Sequence, residues 1–410
     1  MGVWRVAFVL FPLSWLAAGA SAGAEKWQMN KVSHDANLGA RVEIRGVKAG
    51  AFDPAIWQAG TLHWVFNEPS PILQPQEGKF RNIYAPSIIR EKDGWRVFYG
   101  AWDGVDTAND RIYSRWTQDF IAFTDRRLLI DHGAFIHVCN CSAVRLPDGS
   151  YGLAATVWKD PKGLNKPAFF SSPDARVWNG SSPYQARLSD IVLVDGYSPY
   201  ADADINGTNA LLHEDGVYRL YFNDVRFGKI LRASGKDGRT FTLDGASLSS
   251  GHGVNDVKKF VVGGRAWYLM ALHMNTDTLW YCLSSDGLRF GDEREITRNR
   301  DADDRYMVAV GWVCDEARVY GVLYGAGAVG QLNENRIFAK WLQKRLVFQT
   351  ADGSLGDEAL ASGPDRVRLP VPPEGSQGRF EVYAEDGQTL LHRGPEVTLR
   401  PGEIWELAGG

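Results

Sequence analysis

Five stretches of the chain repeat one pattern: a short apolar strand, a turn, and a second strand rich in Tyr, Val, Leu and Phe. The copy "APSIIREKDGWRVFYGAW" shows the pattern plainly. The copies begin at Ala85, Asn140, Gly207, Val254 and Ala309, so successive starts are 55, 67, 47 and 55 residues apart. Three of the turns contain Asp-Gly, a dipeptide that tight hairpins prefer. Repeats of this length predict a fold built from similar units in series.

A second hairpin closes the unit in segments such as "LRASGKDGRTF" and "WYCLSSDGLRF". Each unit then has four strands, which is the content of one blade of a β-propeller. We therefore predict an all-β fold, a five-bladed β-propeller over about residues 50–350. The earlier segment "GTLHWVFNEPSPILQ" resembles the outer end of a blade and is expected to complete the last sheet, because ring closure protects open strand edges. The alternative is coincidental repetition in a generic β-sandwich.

The two ends of the chain differ in texture from the repeats. Residues 1–24 contain one early arginine, an apolar run and then small residues, which is typical of a secretory signal peptide. An uncleaved membrane anchor is the alternative. Residues 25–354 would form the propeller, and residues 355–410 would form a small C-terminal β appendage. We expect a secreted or periplasmic protein with no membrane segment after cleavage.

Charge and cysteine content exclude some partners. The formal net charge is −4 and no basic stripe is visible, so a nucleic-acid partner is not expected. The four cysteines have neither the spacing of a disulfide framework nor that of a zinc site. We interpret Cys139, Cys141, Cys282 and Cys314 as buried thiols, although export would permit one disulfide.

The first hairpin and the "SSDGLRF" hairpin resemble those of the five-bladed propeller glycoside hydrolases, such as families 43, 32, 62, 68 and 117. The resemblance implies a carbohydrate substrate in a pocket on the propeller axis. It implies no organic cofactor, and an axial calcium ion is compatible with it. It also implies three catalytic acids from the first three blades, which map onto Ala85, Asn140 and the neighbourhood of Asn206. None of these residues is acidic, so the family mechanism does not transfer residue by residue.

Propeller geometry indicates a site by a second route. Loops that enter the first strands and loops that leave the second strands lie on one face, and such loops usually carry function. The best candidates for catalytic acids on this face are Asp103, Asp204 and Asp224. Asp204 is two residues from the mapped third-blade acid, and strand alternation keeps it on the same face. Asp103 lies in the first blade, where the missing base would be needed.

The candidates for substrate binding are polar or aromatic residues at the same strand ends. They are Trp102, His137, Asn140, Trp158, Arg226, His252, His273 and Arg305. Such a mixture suits a sugar, whose hydroxyl groups need polar partners and whose C–H face stacks on aromatic rings. The alternative for each single residue is an ordinary role in a turn.

Three further possibilities remain open at this point. Asp53, in an Asp-Pro pair, is a weaker candidate for the base, and Asp256 is a further acid. A metal site built from His137, His252, His273 and Asp204 is conceivable, but no short ligand motif supports it, so we predict no metal.

Three functions are compatible with these features. The first is a secreted glycoside hydrolase that cleaves an oligo- or polysaccharide by carboxylate acid/base catalysis. The second is a carbohydrate-binding propeller without catalysis, which the missing first-blade acid favours. The third is a phosphorylase or lyase on the same scaffold, for which Lys159, Arg226 and Arg305 would supply cations.

Overall fold

The chain is almost entirely β-structure, as predicted. This computed structural model describes residues 27–68, 70–159, 163–207, 209–299, 303–331, 333–355 and 359–409. Within those ranges it contains seven β-sheets and one α-helix, Pro54–Ala59. It also contains four short 3-10 helices, Ala36–Leu38, Leu188–Asp190, Ser198–Asp202 and Val225–Phe227.

Five of the sheets each contain one sequence repeat, and we name them blades I to V in chain order. Blade I consists of Phe80–Arg90, Trp95–Val105, Arg111–Thr117, Arg127–Asp131 and Tyr184–Gln185. Blade II consists of His137–Arg145, Tyr151–Trp158 and Lys166–Ser172. Blade III consists of Asn209–Glu214, Val217–Asp224, Lys229–Gly235, Thr240–Ser249 and Leu193–Asp195. Blade IV consists of Gly253–Val262, Arg265–His273, Thr278–Ser284 and Arg294–Arg298. Blade V consists of Tyr306–Cys314, Val319–Gly327, Arg336–Leu342 and Trp64–Phe66.

One backbone hydrogen bond recurs between successive blades and joins them in a ring. In each blade the residue just before the third strand accepts a hydrogen bond from the segment that leads into, or begins, the first strand of the next blade. We call these five bonds the interblade clasps. Their acceptors and donors are Asp110 and Val138, Asn165 and Ile205, Gly228 and Ser250, Asp277 and Asn299, and Asn335 and Ile83. The last clasp joins blade V to blade I, so the order of blades is cyclic.

The first strands are also tied to one another by side chains. In three such bonds, each 2.9 Å long, a backbone N–H of one blade donates to a side chain of the blade before it: Ala143 N–H to Ser87 Oγ, Leu211 N–H to Ser142 Oγ, and Trp312 N–H to Asp256 Oδ2. Between blades V and I the two strands touch directly, because a Cβ on Gly311 would lie 2.3 Å from the Pro86 carbonyl oxygen. Buried polar groups of neighbouring blades thereby satisfy one another at the centre of the ring.

The segment ahead of the first repeat completes blade V, as predicted. Trp64–Phe66 pairs antiparallel with the third strand of that blade, with Phe66 opposite Lys340 and Trp64 opposite Leu342. The last sheet therefore has its outer strand from the beginning of the chain, which covers the edge of its third strand.

The remaining two sheets form a β-sandwich built from both ends of the chain. One sheet consists of Gln28–His34, Glu403–Ala408, Arg41–Arg45, Arg366–Pro370 and Leu360–Ala361. The other consists of Gly353–Leu355, Arg345–Thr350, Ser376–Tyr383 and Leu390–Leu399. Phe380 and Trp405 join the sheets, with ring centroids 5.5 Å apart, and their apolar core continues to Trp95 and Trp341 of the propeller.

The boundary between the propeller and its appendage differs from the predicted one. Residues 28–45 and 345–350 were assigned to the propeller by the sequence analysis, but their strands pair with those of the appendage. The pairing of residues 28–45 joins positions more than 300 residues apart, so no local pattern reveals it. The predicted signal peptide, residues 1–24, lies outside the described residues. No helix in the described ranges is long and apolar enough to cross a membrane.

All four cysteines are described, and they are free thiols. Cys139, Cys141 and Cys282 are buried, and Cys314 is partly exposed. Burial raises the pKa of Cys141 and of Cys314 to about 12, so both thiols are protonated and unreactive at neutral pH.

The central bond between blades II and III offers a stability test. In Ser142→Ala the buried Leu211 N–H loses its acceptor, and we expect the free energy of unfolding to fall by about 1–3 kcal/mol. Urea unfolding followed by tryptophan fluorescence measures the change. The control is Ser249→Ala, which should stay close to the parent protein, because this exposed serine has no side-chain hydrogen bond within the described part of the chain. Equal stability of the two variants would contradict the role assigned to Ser142.

Candidate functional site

The first strands are distorted at equivalent points, and these points lie together near the propeller axis. The pairing of the first strand shifts register around Ala85, Asn140, Asn255 and Ala309. Ala85, Asn140 and Ala309 have φ of 50°, 51° and 53°, a left-handed conformation that costs free energy in residues with a side chain. In blade III the residue that the sequence repeat aligns with these points is Gly207, just before the first strand, with φ of 68°. We call these five residues the axial positions.

Contacts between the axial positions show that they are neighbours. Asn255 Nδ2 donates to the Gly207 carbonyl at 3.4 Å, and a side chain on Gly207 would lie 2.9 Å from Asn140 Nδ2. Ala85 and Ala309 share one small apolar cluster. The axial positions thus offer amides and small apolar groups, but no carboxylate.

The axial positions also decide how a calcium ion would fit. They provide amide and backbone oxygens only, whereas calcium sites normally include carboxylate ligands. In the described ranges no group of three or more His, Cys, Asp or Glu side chains is arranged to hold a metal. The conceivable metal site of His137, His252, His273 and Asp204 therefore has no support, and we derive no step through a metal ion.

A cluster of aromatic and polar side chains stands beside Ala85 and Asn140. It consists of Tyr84, Trp102, Asp110, His137 and Trp158, and we call it the aromatic cluster. The imidazole ring of His137 lies between two indoles, with its centroid 4.8 Å from Trp158 and 6.5 Å from Trp102. Its Nδ1 is 3.0 Å from Asp110 Oδ2 and accepts the Asp110 N–H at 3.1 Å.

The fold explains why these side chains meet. His137 begins the first strand of blade II and is paired with Trp158, the last residue of the second strand. Trp102 is near the end of the second strand of blade I. Asp110 is held against His137 by the clasp between blades I and II, because its carbonyl accepts the Val138 N–H at 3.1 Å.

Several polar atoms of the aromatic cluster have no partner within the described chain. Asp110 is buried, with 5% of its surface exposed, and its Oδ1 has no hydrogen bond there. The indole nitrogens of Trp102 and Trp158 are likewise without acceptors among the described residues. Native proteins rarely leave such groups unsatisfied, so hydrogen-bonding groups of a ligand or of water belong at this place.

Tyr84 supplies a neutral phenol next to Asp110. Burial raises the pKa of Tyr84 well above its ordinary value, and the nearby Asp110 carboxylate and Cys139 raise it further. The phenol is therefore protonated at neutral pH and is a hydrogen-bond donor rather than a nucleophile.

The predicted catalytic residue Asp103 lies in a different environment. It is completely buried, and its carboxylate accepts hydrogen bonds from the Gln76 N–H at 2.6 Å and the Tyr99 hydroxyl at 2.8 Å. Arg115 Nη2 lies 3.6 Å from Asp103 Oδ2, and Arg126 Nη1 lies 3.6 Å from Asp103 Oδ1. Strand alternation places Asp103 on the same face as Tyr99 and opposite to Trp102. These contacts are those of a structural residue, and we do not carry Asp103 into the proposed mechanism.

The two other predicted acids belong to blade III. Asp224 is buried, caps the 3-10 helix Val225–Phe227, and accepts the Tyr197 hydroxyl. The exposed Arg226 side chain lies 3.8 Å from the same carboxylate and covers the Phe227 ring. Asp204 is exposed and accepts both the backbone and the side-chain N–H of Asn165 at 2.8 Å.

The predicted substrate-binding residues of blades IV and V lie at the same ends of the strands as those of the other blades. His252 stacks on Trp280 at 3.8 Å, and its Nδ1 is 2.6 Å from Glu293 Oε2. His273 is buried. Arg305 is exposed and covers the ring of Tyr306 at 5.4 Å. The weaker candidates have structural contacts: Asp53 caps the α-helix, and Asp256 makes the side-chain bond to blade V.

Sequence reasoning missed Asp110 as a site residue. It considered only residues that enter first strands or leave second strands, whereas Asp110 stands just before a third strand. The detectable signal was its place in the repeat: the equivalent residues of three other blades are Asn165, Asp277 and Asn335, and a polar residue at that point faces the entrance to the next blade.

The burial of His273 predicts a pH dependence of stability. Burial, together with a smaller contribution from the neighbouring His252, lowers the pKa of His273 to about 4. In an unfolded chain the histidine pKa is about 6.5, so between pH 6.5 and pH 4 the unfolded chain binds a proton at this residue and the folded chain does not. The free energy of unfolding therefore falls as the pH decreases from about 6.5 to 4. For this one group the loss is about 3 kcal/mol.

Urea unfolding at pH 7 and pH 4.5 of the parent protein, His273→Gln and His34→Gln measures this effect. The His273 variant should lose less stability on acidification than the parent, whereas the exposed His34 variant should behave like the parent. An unchanged pH dependence in His273→Gln would contradict the burial of a neutral imidazole.

Comparison with known proteins shows which solved structures have a similar fold. No family model matches the chain, and no curated protein matches it either. A solved structure from Bacteroides thetaiotaomicron VPI-5482, provisionally described as a glycosidase, is 10% identical, with a TM-score of 0.51, and the match covers 70% of this chain and 98% of the other. A provisionally described glycoside hydrolase from Bacteroides ovatus ATCC 8483 is also 10% identical, with a TM-score of 0.50 and coverage of 68% and 96%. The predicted resemblance to propeller-type glycoside hydrolases is therefore confirmed at the level of the fold.

Proposed function

We propose that the chain is a secreted glycoside hydrolase that binds an oligo- or polysaccharide at the aromatic cluster and uses Asp110 as one of its two catalytic carboxyl groups. The observation that carries the proposal is the arrangement of Asp110 and His137 between two tryptophans, with the Asp110 Oδ1 unpartnered in the described chain. The similarity in fold to structures described as glycosidases supports the substrate class. Secretion rests on the leader-like residues 1–24.

The aromatic cluster suits a sugar ring for two reasons. Trp102 and Trp158 are half-buried and offer apolar faces on which the C–H groups of a sugar pack. Asp110, together with Asn140 and Asn255 at the axial positions, offers hydrogen-bonding groups for hydroxyls. A ligand placed across the axis would touch both sets of groups.

Hydrolysis of a glycosidic bond needs a second carboxyl group across the bond. Asp224 and Asp204 of blade III are the candidates for this role. Asp224 has the Arg226 guanidinium beside it and the Tyr197 hydroxyl as a donor. We assign proton transfer to Asp110, which lies beside the neutral Tyr84 phenol and His137, and the role of the second carboxyl group to Asp224.

A non-catalytic carbohydrate-binding propeller is the second candidate, and one observation favours it. Axial positions Ala85 and Asn140 are where the resemblance maps two of the family acids, and Asn206, beside Gly207, is where it maps the third. A chain that has lost its chemistry would keep the tryptophans and amides for binding and would not turn over a glycan.

A substrate panel with one isosteric variant tests the proposal. The purified protein is incubated with aryl glycosides and with plant, algal and microbial glycans, with and without phosphate, and released sugar is measured. Asp110→Asn should lower kcat about 10²–10⁴-fold, because it removes proton transfer while keeping the shape. Asp237→Asn, in an exposed hairpin turn of blade III, is the matched control and should retain full activity.

Three results would contradict the proposal. Turnover that survives in Asp110→Asn would exclude the assigned carboxyl group. Glycan binding by the parent protein without any turnover would favour the binding propeller, and turnover only with phosphate would indicate a phosphorylase.

A further inference from the structure

Three adjoining cavities lie on the side of the propeller opposite to the aromatic cluster. They are formed where the first strands end, and Glu91 lines all three. The axial cavity has a volume of about 950 Å³. The two others, of about 380 and 410 Å³, extend from it along the boundary between blades I and II. We call these two smaller cavities the arginine groove.

Cations outnumber acids in the walls of the arginine groove, although the whole chain has a net charge of −4. The cationic wall residues are Lys92, Arg96, Arg115, Arg127, Arg145 and Arg176. The acidic wall residues are Glu91, Asp93, Asp125 and Asp174.

Two of the acids are already engaged inside the protein. Glu91 accepts two hydrogen bonds from Arg96, at 2.7 and 3.2 Å, and one from the Tyr151 hydroxyl at 2.8 Å. Asp174 accepts the backbone N–H groups of its own turn, which lower its pKa. Glu91 is therefore engaged by Arg96 and Tyr151, whereas Asp174 also interacts electrostatically with the nearby Arg176.

Three of the arginines are available to a ligand. The side chains of Arg127, Arg145 and Arg176 are exposed, and within the described part of the chain they form neither a salt bridge nor a hydrogen bond. Guanidinium groups bind carboxylate, sulfate and phosphate oxygens in pairs. Three of them around one groove favour an anion with several charged groups.

One aromatic residue indicates which kind of molecule carries the anionic groups. Trp116 lines both cavities of the groove and is half-buried, packed on Gly94. An indole beside guanidinium groups stacks against a sugar ring while the arginines bind its substituents. A small inorganic anion would neither stack on the indole nor fill the length of the groove.

We propose that the arginine groove binds a carboxylate- or sulfate-bearing polysaccharide, at a site separate from the aromatic cluster. It would hold an anionic glycan on one side of the propeller, while the aromatic cluster on the other side acts on, or binds, a sugar. The two sites are independent in their residues, so this inference does not depend on the proposed hydrolysis.

Isothermal titration with four probes tests the site: polygalacturonate, dextran sulfate, neutral dextran and sodium sulfate. The variant Arg127→Gln/Arg176→Gln removes two exposed charges. The control Arg265→Gln/Arg289→Gln removes two exposed arginines of blade IV that line neither cavity. We expect one or both polyanions to bind the parent and the control equally, and the groove variant about tenfold more weakly.

Three outcomes would overturn the proposal. The first is equal affinity of the groove variant and the control, and the second is neutral dextran binding as tightly as the polyanions. The third is sodium sulfate binding at the groove with the affinity of the polymers, which would assign the site to a free oxyanion.

Discussion

The interblade clasp is the interaction on which the rest of the structure depends. In every blade, the carbonyl group in front of the third strand accepts an N–H from the chain that enters the next blade. Each such bond is worth only about 1 kcal/mol on its own. Its importance is geometric, because five equivalent bonds fix how each first strand stands against its neighbour and so bring the axial positions together.

The candidate site follows from one of these clasps. Asp110 gives its carbonyl to the clasp between blades I and II, and the same contact presses its carboxylate against His137. The axial positions Ala85 and Ala309 carry no polar side chain, whereas the clasp residue Asp110 does. The left-handed backbone at these alanines is retained although an alanine gains nothing from it, which shows that the strand distortion belongs to the fold itself.

The propeller could be predicted because its information is local. Asp-Gly turns, paired apolar strands and similar spacing recur within each repeat, and the strand that completes blade V has the same local pattern. The sandwich could not be predicted in full, because Arg41–Arg45 pairs with strands at the far end of the chain. Pairing over such a distance leaves no periodic signal in the sequence.

The candidate site was predicted only in part, and one physical rule explains why. Trp102 and Asp103 were both placed on the axis face, but adjacent residues of a strand point to opposite faces, and Asp103 went with Tyr99 into a buried network. Trp102, His137 and Trp158 did come together, because each stands at a strand end that the blade repeat defines. Asp110 was missed because the clasp that positions it becomes visible only when two blades are docked.

The central claim is that the aromatic cluster receives a sugar. A crystal structure of the protein with a bound oligosaccharide from the panel would decide it. We predict a sugar ring against Trp102 or Trp158, with a hydroxyl or the glycosidic oxygen within hydrogen-bonding distance of Asp110 Oδ1. An oligosaccharide bound elsewhere, with the aromatic cluster unchanged and in contact with water alone, would contradict the claim.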